Sequence, residues 1–424
     1  MKKLKNNINI IDDSKEIDKV LNNGVAEVLP NKKSLKKLMQ TKRIRLYLGI
    51  DPTGNLLTLG HSVVLRKLQQ FANLGHEVIL LIGNGTVRIG DPTGKDATRP
   101  ELTDEQIEKN FKTWKEQAGK ILDFSKIEVR HNGDWLDKLT FIDIIKLMAK
   151  TTVQQLMERD MFKKRLEEGR PVHGHEIMYP LLQGYDSVAM DVDLEIGGTD
   201  QTFNMMMGRT LQKSYNNHEK WVLATPLING TDGRKMSKSL HNFIALTEKA
   251  NDMYGKLMST ADDEILIYFK TLTDISPKKI SDIKKRMDKG ENPMQFKKFL
   301  AFTITEMYHD TITAKKAEEH FQKTVQQGKI PENIPEIKLS SNQMTVFELL
   351  QICLPKESNS NLRRLLKQGA VEFIGKENND GSNENIKPND PNQSLSLSNI
   401  MSVRIGKRRF FKLNLKSMTN KINK

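Results

Sequence analysis

The sequence predicts an α/β protein whose first domain is a doubly wound sheet of mainly parallel strands. Residues 44–50 alternate apolar and other side chains, as a strand does, and apolar residues recur at helical spacing over 64–72. A continuous apolar run over 78–83 is typical of a parallel strand that is buried on both faces. Alternating strand and helix patterns indicate a doubly wound sheet, which binds ligands at the carboxyl ends of its strands.

Composition limits the class of protein further. The 424 residues are enough for two or three domains, and 37% of them are hydrophobic, which fits a soluble globular protein. No apolar run reaches the length of a membrane span, and no apolar segment follows the basic start, so we expect a cytoplasmic protein. The single cysteine, Cys353, leaves no internal disulfide and no metal cluster to expect. A net charge of +14 favours a polyanionic partner, although a lysine-rich genome also explains it.

The stretch from Tyr47 to His61 joins the first strand to the first helix of the sheet. Its Asp-Pro-Thr-Gly sequence at 51–54 breaks the strand, because Pro fixes φ and Gly permits conformations that other residues avoid. The helix start that follows offers free N–H groups and the positive end of the dipole to an anion. Thr58 and Gly60 lie at that start, which predicts a nucleotide-binding turn. Taken alone, an ordinary strand-to-helix corner with Thr58 as N-cap explains the pattern equally well.

A second motif, Lys-Met-Ser-Lys-Ser at 235–239, strengthens the nucleotide interpretation. Lys235 and Lys238 lie three residues apart on a loop that begins with glycine. Such a loop can bind a polyphosphate and neutralise the charge that develops when it is displaced. A single loop of this kind is usually a solvated turn, but it is much rarer downstream of a Gly-His helix start.

The two motifs resemble the HIGH and KMSKS signatures of class I aminoacyl-tRNA synthetases. The sequences at 51–53 and 197–201 are similar to those of bacterial-type tyrosyl-tRNA synthetases in particular, and the resemblance extends from about Gly24 to the C-terminal region. It implies a tyrosine–tRNA ligase that activates L-tyrosine with ATP to tyrosyl-adenylate. The enzyme would then transfer tyrosine to the 3′ end of tRNA(Tyr), releasing AMP and pyrophosphate. Mg²⁺ would accompany ATP, held mainly by the phosphates.

The resemblance and the composition together divide the chain into four segments. Residues 1–240 would form a Rossmann-like catalytic domain with a helical insertion at about 104–170, which in the family packs against the second copy of a homodimer. Residues 241–326 are helical and charged and would form the α-helical domain of the anticodon region. A linker over 327–342 leads to a small α+β domain at 343–424, which resembles the S-four-like RNA-binding module.

The tyrosine pocket is predicted on one helix. Tyr179, Gln183 and Asp186 are four and three residues apart, so on a helix they share one face. These side chains are too polar for the core-facing side of a helix and would suit the wall of a polar pocket. Asp186 alone could also be an acidic residue on the exposed surface of a helix. By resemblance, Tyr179 and Gln183 would contact the amino group of tyrosine, and Tyr47 with Asp186 its phenolic hydroxyl. Groups built for a hydroxyl are left unpaired by phenylalanine, and this family's rejection of phenylalanine is the standard illustration of that effect.

Two glycine-containing stretches supply further contacts by resemblance. In the first, at 83–95, Asp91 would bind the tyrosine amino group, and Lys95 with Arg99 would belong to a mobile loop that clamps pyrophosphate. In the second, Gly198 and Asp200 would face the ribose of ATP. Without the resemblance, these stretches predict only turns.

The remaining site residues follow from the same resemblance. Gln201 would lie at the carboxyl region of tyrosine. The other ATP contacts would be Asp51, Gly60, His61 and Lys238. The catalytic groups would be Thr58, His61, Lys235 and Lys238. No side-chain nucleophile is needed, so catalysis would depend on positioning and on charge stabilisation.

Basic residues concentrate in the predicted RNA-binding domain, which has no acidic residue from Arg404 onward. By resemblance, a helix and a hairpin would contact RNA through Arg363, Arg364, Lys367, Lys407, Arg408 and Arg409. Phosphate contacts from such a surface give affinity more than sequence choice. The stretch 378–394 is rich in Asn, Asp, Ser and Pro and predicts a disordered insertion.

Two positions depart from the family pattern. Thr58 stands where the first His of the signature usually lies, and we predict that it contributes less to the polyphosphate than His61 does to the nucleotide. Leu48 stands where related enzymes can place a polar ribose contact, so we expect that contact to be missing.

Two other classes of protein share some of these features. A tryptophanyl-tRNA synthetase has the same fold and both signatures. It should lack the pair of residues that contacts a phenolic hydroxyl, and it should lack a basic C-terminal domain. A non-enzymatic RNA-binding descendant would keep the basic domain and lose the pocket residues, which are intact here. Tyrosine-dependent exchange of pyrophosphate into ATP would separate these alternatives.

Overall fold

The computed structural model describes residues 10–92, 102–236, 240, 242–326, 334–355, 357–377, 383–406 and 409–415. The chain forms two compact units, Met1–Asp310 and Thr311–Lys424. No helix in these ranges combines the length and the apolar character that crossing a membrane requires.

The first unit is built on a six-stranded sheet in the order β1-β6-β5-β2-β3-β4. Its strands are β1 (Glu27–Leu29), β2 (Arg45–Ile50), β3 (Glu77–Ile82), β4 (Ile127–His131), β5 (Leu194–Gly198) and β6 (Trp221–Thr225). Strands β2 to β6 run parallel, and the edge strand β1 pairs antiparallel with β6. The chain runs from β2 outward to β3 and β4 and then adds β5 and β6 on the other side of β2. The strand order therefore reverses between β2 and β5, where doubly wound sheets bind ligands.

Helices of the first unit connect these strands and continue beyond the sheet. They are α1 (Ser14–Asn22), α2 (Lys32–Thr41), α3 (Leu59–Asn73), α4 (Asp104–Ala118), α5 (Gly133–Leu136), α6 (Phe141–Met148), α7 (Val153–Met157), α8 (Asp160–Glu167), α9 (Gly174–Met190), α10 (Thr202–Asn216), α11 (Ala250–Leu257), α12 (Ile265–Leu272), α13 (Pro277–Asp288) and α14 (Pro293–Tyr308). Helix α3 packs on β2, β3 and β5 through a buried face that includes Leu65, Leu68 and Phe71. This places the start of α3 at the carboxyl end of the central strand.

The structure differs from the sequence-based prediction within 104–170. This segment is not helical throughout, because it contributes the strand β4. Its second half forms three short helices, since Thr140 and Thr152 each begin a new helix by accepting a bond from a backbone N–H three residues on.

The second unit combines helices with strands that pair antiparallel, except that β7 pairs parallel with β13. Its helices are α15 (Thr311–Phe321), α16 (Val346–Cys353) and α17 (Asn359–Lys367). Its strands are β7 (Glu336–Leu339), β8 (Gln343–Thr345), β9 (Val371–Glu377), β10 (Asn383–Ile386), β11 (Ser394–Ser396), β12 (Ile400–Ile405) and β13 (Arg409–Leu415). Five strands form a sheet in the order β10-β9-β12-β13-β7, and β8 pairs with β11. Leu349, Leu362, Phe373 and Val403 belong to its apolar core.

The prediction of a disordered insertion at 378–394 is wrong for the part that the structure describes. Residues 383–386 form β10, which pairs antiparallel with β9, although their sequence is Asn-Glu-Asn-Ile. The neighbouring strand β9 offers backbone partners that composition alone does not reveal. Residues 378–382 lie outside the described ranges.

Candidate active site

A polar cleft of about 280 Å³ lies at the carboxyl ends of β2 and β5, where the strand order reverses. Most of the side chains that the sequence predicts for tyrosine and ATP line it. They are Asp51, His61, Asp91, Tyr179, Gln183, Asp186, Gly198, Asp200 and Gln201. Leu48 lines the cleft as well, so the wall is apolar where we expect no ribose contact.

His61 lies in the first turn of α3 with its ring fixed by Thr58. The backbone N–H of Thr58 donates to His61 Nδ1 at 3.1 Å, and the Thr58 hydroxyl lies 2.9 Å from the same nitrogen. Because a backbone N–H can only donate, Nδ1 accepts, and the ring proton is on Nε2. His61 lines the cleft, and its hydrogen-bond donor is therefore the Nε2–H group.

The lysine loop and the start of α3 lie against each other. The backbone N–H of Leu59 donates to the carbonyl of Ile244, just downstream of the loop, at 2.9 Å. A Cβ atom at Gly60 would lie 3.4 Å from Met236 Sδ, so a side chain of the loop packs on the helix start. The two motifs thus meet in the folded chain. Lys238 lies outside the described residues.

Lys235 brings a positive charge within reach of the cleft. Its side chain is exposed, and its ammonium acts on Asp200. Burial raises the pKa of Asp200, and the Asp91 carboxylate adds to the rise, whereas Lys235 opposes it. The predicted pyrophosphate residues Lys95 and Arg99 lie outside the described ranges.

Helix α9 forms one polar wall, as the spacing predicts. The Tyr179 hydroxyl donates to Asp51 Oδ2 at 2.9 Å, and the Thr86 hydroxyl donates to Asp51 Oδ1 at the same distance. Burial, with the Asp51 charge, raises the pKa of Tyr179 well above its usual value, so its hydroxyl stays protonated as a donor. The wall is therefore hydrogen-bonded to the turn after β2.

Asp186 is a buried carboxylate at the end of this wall. Trp135 Nε1 donates to its Oδ1 at 2.9 Å, and Asn132 Nδ2 donates to its Oδ2 at 3.2 Å. Burial raises the pKa of Asp186, and these two donors oppose the rise. Each oxygen accepts one bond from the protein and has a second lone pair for a ligand hydroxyl.

Asp91 is fixed by residues from two other elements. Gln201 Nε2 donates to Asp91 Oδ2 at 2.7 Å, and Arg159 lies 3.6 Å from Oδ1. The Arg159 guanidinium is buried between the rings of Phe162 and Phe203, 5.2 and 5.5 Å from their centroids. Sequence reasoning missed Arg159, because Asp91 and Phe203 are distant from it in the chain.

The structure does not bring the Tyr47 side chain into the wall of the cleft. Tyr47 is fully buried, and its hydroxyl lies 3.0 Å from Ser187 Oγ. Its ring lies beneath Gly49, where a Cβ atom would be 3.7 Å from the ring. Burial raises the pKa of Tyr47, and the charges of Glu195 and Asp186 add to the rise, so the hydroxyl is near both carboxylates.

The predicted RNA contacts differ from one another in their surroundings. Arg363, Arg364 and Lys367 are exposed on α17, and Arg363 stacks on the ring of Phe347 at 5.0 Å. Arg409 instead donates to Glu357 at 3.0 Å within the unit. Lys407 and Arg408 lie outside the described residues. The exposed cations of α17, Arg363, Arg364 and Lys367, are called the α17 face below.

Within the described ranges, no group of three or more His, Cys, Asp or Glu side chains could hold a metal ion. A divalent cation that enters with a nucleotide needs few protein ligands, because the phosphates supply most of its oxygen atoms.

Comparison with known families agrees with this geometry. The family described as tRNA synthetases class I (W and Y) matches residues 39–326, which is more than half of the chain. A sheet of this topology, with a Gly-His helix start against a Lys-Met-Ser loop, defines the class I aminoacyl-tRNA synthetases.

Individual relatives narrow the class. A tyrosine–tRNA ligase of Thermotoga maritima is 43% identical over 397 residues, which cover 93% of this chain and 96% of that protein. One from Carboxydothermus hydrogenoformans is 43% identical over 418 residues, covering 95% and 98%. The chain therefore belongs to the tyrosine–tRNA ligases, and it is an enzyme. The crystal structure of Archaeoglobus fulgidus tyrosyl-tRNA synthetase with L-tyrosine has the same fold, with a TM-score of 0.59 and 21% identity over 72% of this chain and all of that one.

Proposed function

We propose that the cleft activates L-tyrosine with ATP and that the chain then transfers tyrosine to tRNA(Tyr). In the first step a tyrosine carboxylate oxygen bonds to the α-phosphorus of ATP, and the bond from that phosphorus to pyrophosphate breaks. In the second step a ribose hydroxyl at the 3′ end of the tRNA attacks the tyrosyl carbonyl carbon, and AMP leaves. The observation that carries this proposal is the convergence of the helix start at His61 and the polar wall of α9 on one cleft.

The proposal assigns the tyrosine contacts by chemistry. Asp91, Tyr179 and Gln183 bind the ammonium group, since a carboxylate and neutral acceptors suit a cation. Asp186 accepts from the phenolic hydroxyl through its free lone pairs, whereas Tyr47, which does not line the cleft, is not assigned as a direct contact. Gln201 lies beside the carboxyl region.

The nucleotide contacts follow from the two motifs. Asp51, Gly198 and Asp200 bind the ribose side of ATP, and Gly60 leaves space for the base at the helix start. His61, with its Nε2–H donor, stabilises the reacting phosphate, and Thr58 acts mainly by holding the ring. The lysines at 235 and 238, with Lys95 and Arg99, neutralise charge on the departing pyrophosphate. Mg²⁺ enters with ATP and is held by the phosphates.

The second unit binds tRNA through charge. The α17 face is exposed and basic, and Lys407, Arg408 and Arg409 extend the predicted basic surface along the sequence. Such a surface contacts phosphates rather than bases. The α-helical segment that follows the lysine loop is assigned to the anticodon region. The protein acts in the cytoplasm, where its substrates are.

The insertion carries the surface for a second copy of this chain. Several large apolar side chains of the insertion are exposed to solvent. They are Phe141, Ile142, Ile145, Met148 and Val153. A cluster of this kind marks a protein contact, so we assign it to a homodimer. Phe141→Glu should shift the sedimentation of the protein toward a monomer, whereas Lys138→Glu, an exposed change nearby, should leave it unchanged.

Exchange of labelled pyrophosphate into ATP tests the proposed function. Tyrosine should support rapid exchange by the full chain, phenylalanine should support only slow exchange, and tryptophan should support none. Exchange with tryptophan, or none with any amino acid, would contradict the assignment.

A further inference from the structure

A buried ion pair lies behind the tyrosine wall and has no place in the reaction described above. Lys220 immediately precedes β6 and is fully buried, and its ammonium contacts the Glu195 carboxylate on β5. The same ammonium donates to Ser187 Oγ at 2.7 Å and to the Met205 carbonyl at 3.2 Å. The three protons of the ammonium therefore have three acceptors.

The fold leaves a dedicated space for this ammonium. A Cβ atom at Gly208, on α10, would lie 2.4 Å from Lys220 Nζ and 2.7 Å from Ser187 Oγ. A side chain at position 208 would therefore displace the ammonium or the serine hydroxyl from these positions. Buried ion pairs contribute little net stability, because desolvation offsets the attraction between the charges. A pair that is built in this way calls for a reason other than stability.

Glu195 connects the pair to the cleft. Its second carboxylate oxygen, Oε1, accepts from Gln183 Nε2 at 3.0 Å, and both residues line the cleft. An ionised carboxylate can only accept, so the amide nitrogen of Gln183 must face it. The carbonyl oxygen of Gln183 is then the amide atom directed away from Glu195.

We propose that Lys220 and Glu195 are positioning residues that fix the amide of Gln183, so that its carbonyl oxygen meets the ammonium group of bound tyrosine. The Lys220 ammonium anchors the Glu195 carboxylate, and a carboxylate, which can only accept, admits only one orientation of the amide. In the other orientation Gln183 would present its NH₂ group to the substrate ammonium and repel it. The inference rests on the proposed function, which assigns Gln183 to that ammonium.

Two variants test the proposal because they change the charge of the pair in opposite directions. In Glu195→Gln, the new amide must turn its oxygen toward Lys220, so its NH₂ faces Gln183 and forces that amide to turn. In Lys220→Met, the Glu195 carboxylate loses its counter-charge and its anchor, so it no longer holds the Gln183 amide in one orientation. Lys213→Met, at a half-exposed ion pair with Glu219 on the surface, is the matched control.

The readout is the affinity for L-tyrosine relative to 3-(4-hydroxyphenyl)propanoate, which lacks only the amino group. We expect isothermal titration calorimetry to give a ratio about tenfold lower in both Glu195→Gln and Lys220→Met, and unchanged in Lys213→Met. A purely electrostatic effect would instead raise the ratio in Lys220→Met, because a positive charge is removed.

Three results would overturn the inference: a raised ratio in Lys220→Met, an unchanged ratio in Glu195→Gln, or parallel losses for both ligands. Glu195→Gln preserves the side-chain volume, so an unchanged ratio in that variant overturns the inference even if Lys220→Met does not fold. If the wild-type chain lacks tyrosine-dependent pyrophosphate exchange, the proposed function fails. If it has exchange and the variants keep the ratio, only the positioning role fails.

Discussion

The cleft of the first unit and the α17 face of the second unit differ in burial and in hydrogen bonding, and each suits a different kind of ligand. In the cleft, charged side chains are buried and each has fixed partners, as Asp186 has in Trp135 and Asn132. On α17 the cations are exposed above an apolar core. A small amino acid must be distinguished by the direction of each hydrogen bond, whereas a polyanion is attracted by charge density. Substitutions should therefore have large effects in the first region and small effects in the second.

The largest effect is expected where a buried pair supports the cleft wall. Arg165 on α8 contacts Glu176 in the first turn of α9 at 2.6 and 2.9 Å, and both side chains are about 5% exposed. Arg165→Met leaves Glu176 buried without its partner, so it should lower the free energy of unfolding by about 3–5 kcal/mol. Urea denaturation measures this change.

A lysine on the same helix provides the control. Lys164 lies 3.9 Å from Glu168 and is exposed, so Lys164→Met should change the free energy of unfolding by less than about 0.5 kcal/mol. Equal changes in the free energy of unfolding for Arg165→Met and Lys164→Met would show that burial does not determine the contribution of these ion pairs.

Asp186→Ala should nearly remove the response to tyrosine. The change removes the acceptor of the Trp135 N–H and one of the two acceptors of the Asn132 amide, and it removes the proposed contact to the phenol. We expect kcat/KM for tyrosine in pyrophosphate exchange to fall about 100-fold or more, with little change for phenylalanine. Asp134→Ala, an exposed acid nearby, should be neutral. Equal losses for both amino acids would indicate a general structural defect.

Acid should weaken the first unit through a buried imidazole. Both ring nitrogens of His76 are buried without a hydrogen-bond partner, and burial lowers its pKa from 6.5 to about 4. Between pH 6.5 and pH 4, His76 is protonated in the unfolded chain but neutral in the folded chain. The free energy of unfolding therefore falls as the pH falls from 6.5 toward 4. The loss should approach about 3 kcal/mol near pH 4.

The comparison for this effect is His76→Leu, whose free energy of unfolding should fall less over the same pH range. In the second unit, burial raises the pKa of Cys353 to about 12, so that thiol stays neutral throughout. Parallel pH profiles of the wild type and His76→Leu would contradict the account.

Substitutions of His61 and Thr58 at the start of α3 should slow adenylate formation by different factors. His61→Ala removes a donor to the reacting phosphate and should slow adenylate formation about 100-fold in single-turnover kinetics. Thr58→Ala should slow it about tenfold or less, because the backbone N–H of residue 58 still holds the imidazole. A larger loss at Thr58 would reverse the ranking.

The smallest effects are expected on α17. Arg363→Gln, Arg364→Gln and Lys367→Gln should each weaken tRNA binding by a small factor and reduce its salt dependence by about one in the log–log slope. Lys338→Gln, an exposed change on β7, should leave the slope unaltered. A loss confined to one tRNA sequence would point to base contacts rather than phosphate contacts.

The same contrast explains how much the sequence could predict. The strand, turn and helix around Tyr47 to His61 and the polar face of α9 follow from local spacing, and the structure confirms both. Lys220, Arg159 and the edge strand β1 were missed, because each is defined by partners far away in the chain. Strand β10 was misjudged for the same reason, since its polar sequence is stabilised by pairing with β9.

The central claim is that the cleft chooses the amino acid and the α17 face holds the tRNA. The most direct measurement compares pyrophosphate exchange with tRNA aminoacylation in a variant that combines Arg363→Gln, Arg364→Gln and Lys367→Gln. We expect unchanged tyrosine-dependent exchange and a raised KM for tRNA. Loss of exchange, or aminoacylation with an unchanged KM for tRNA, would contradict it.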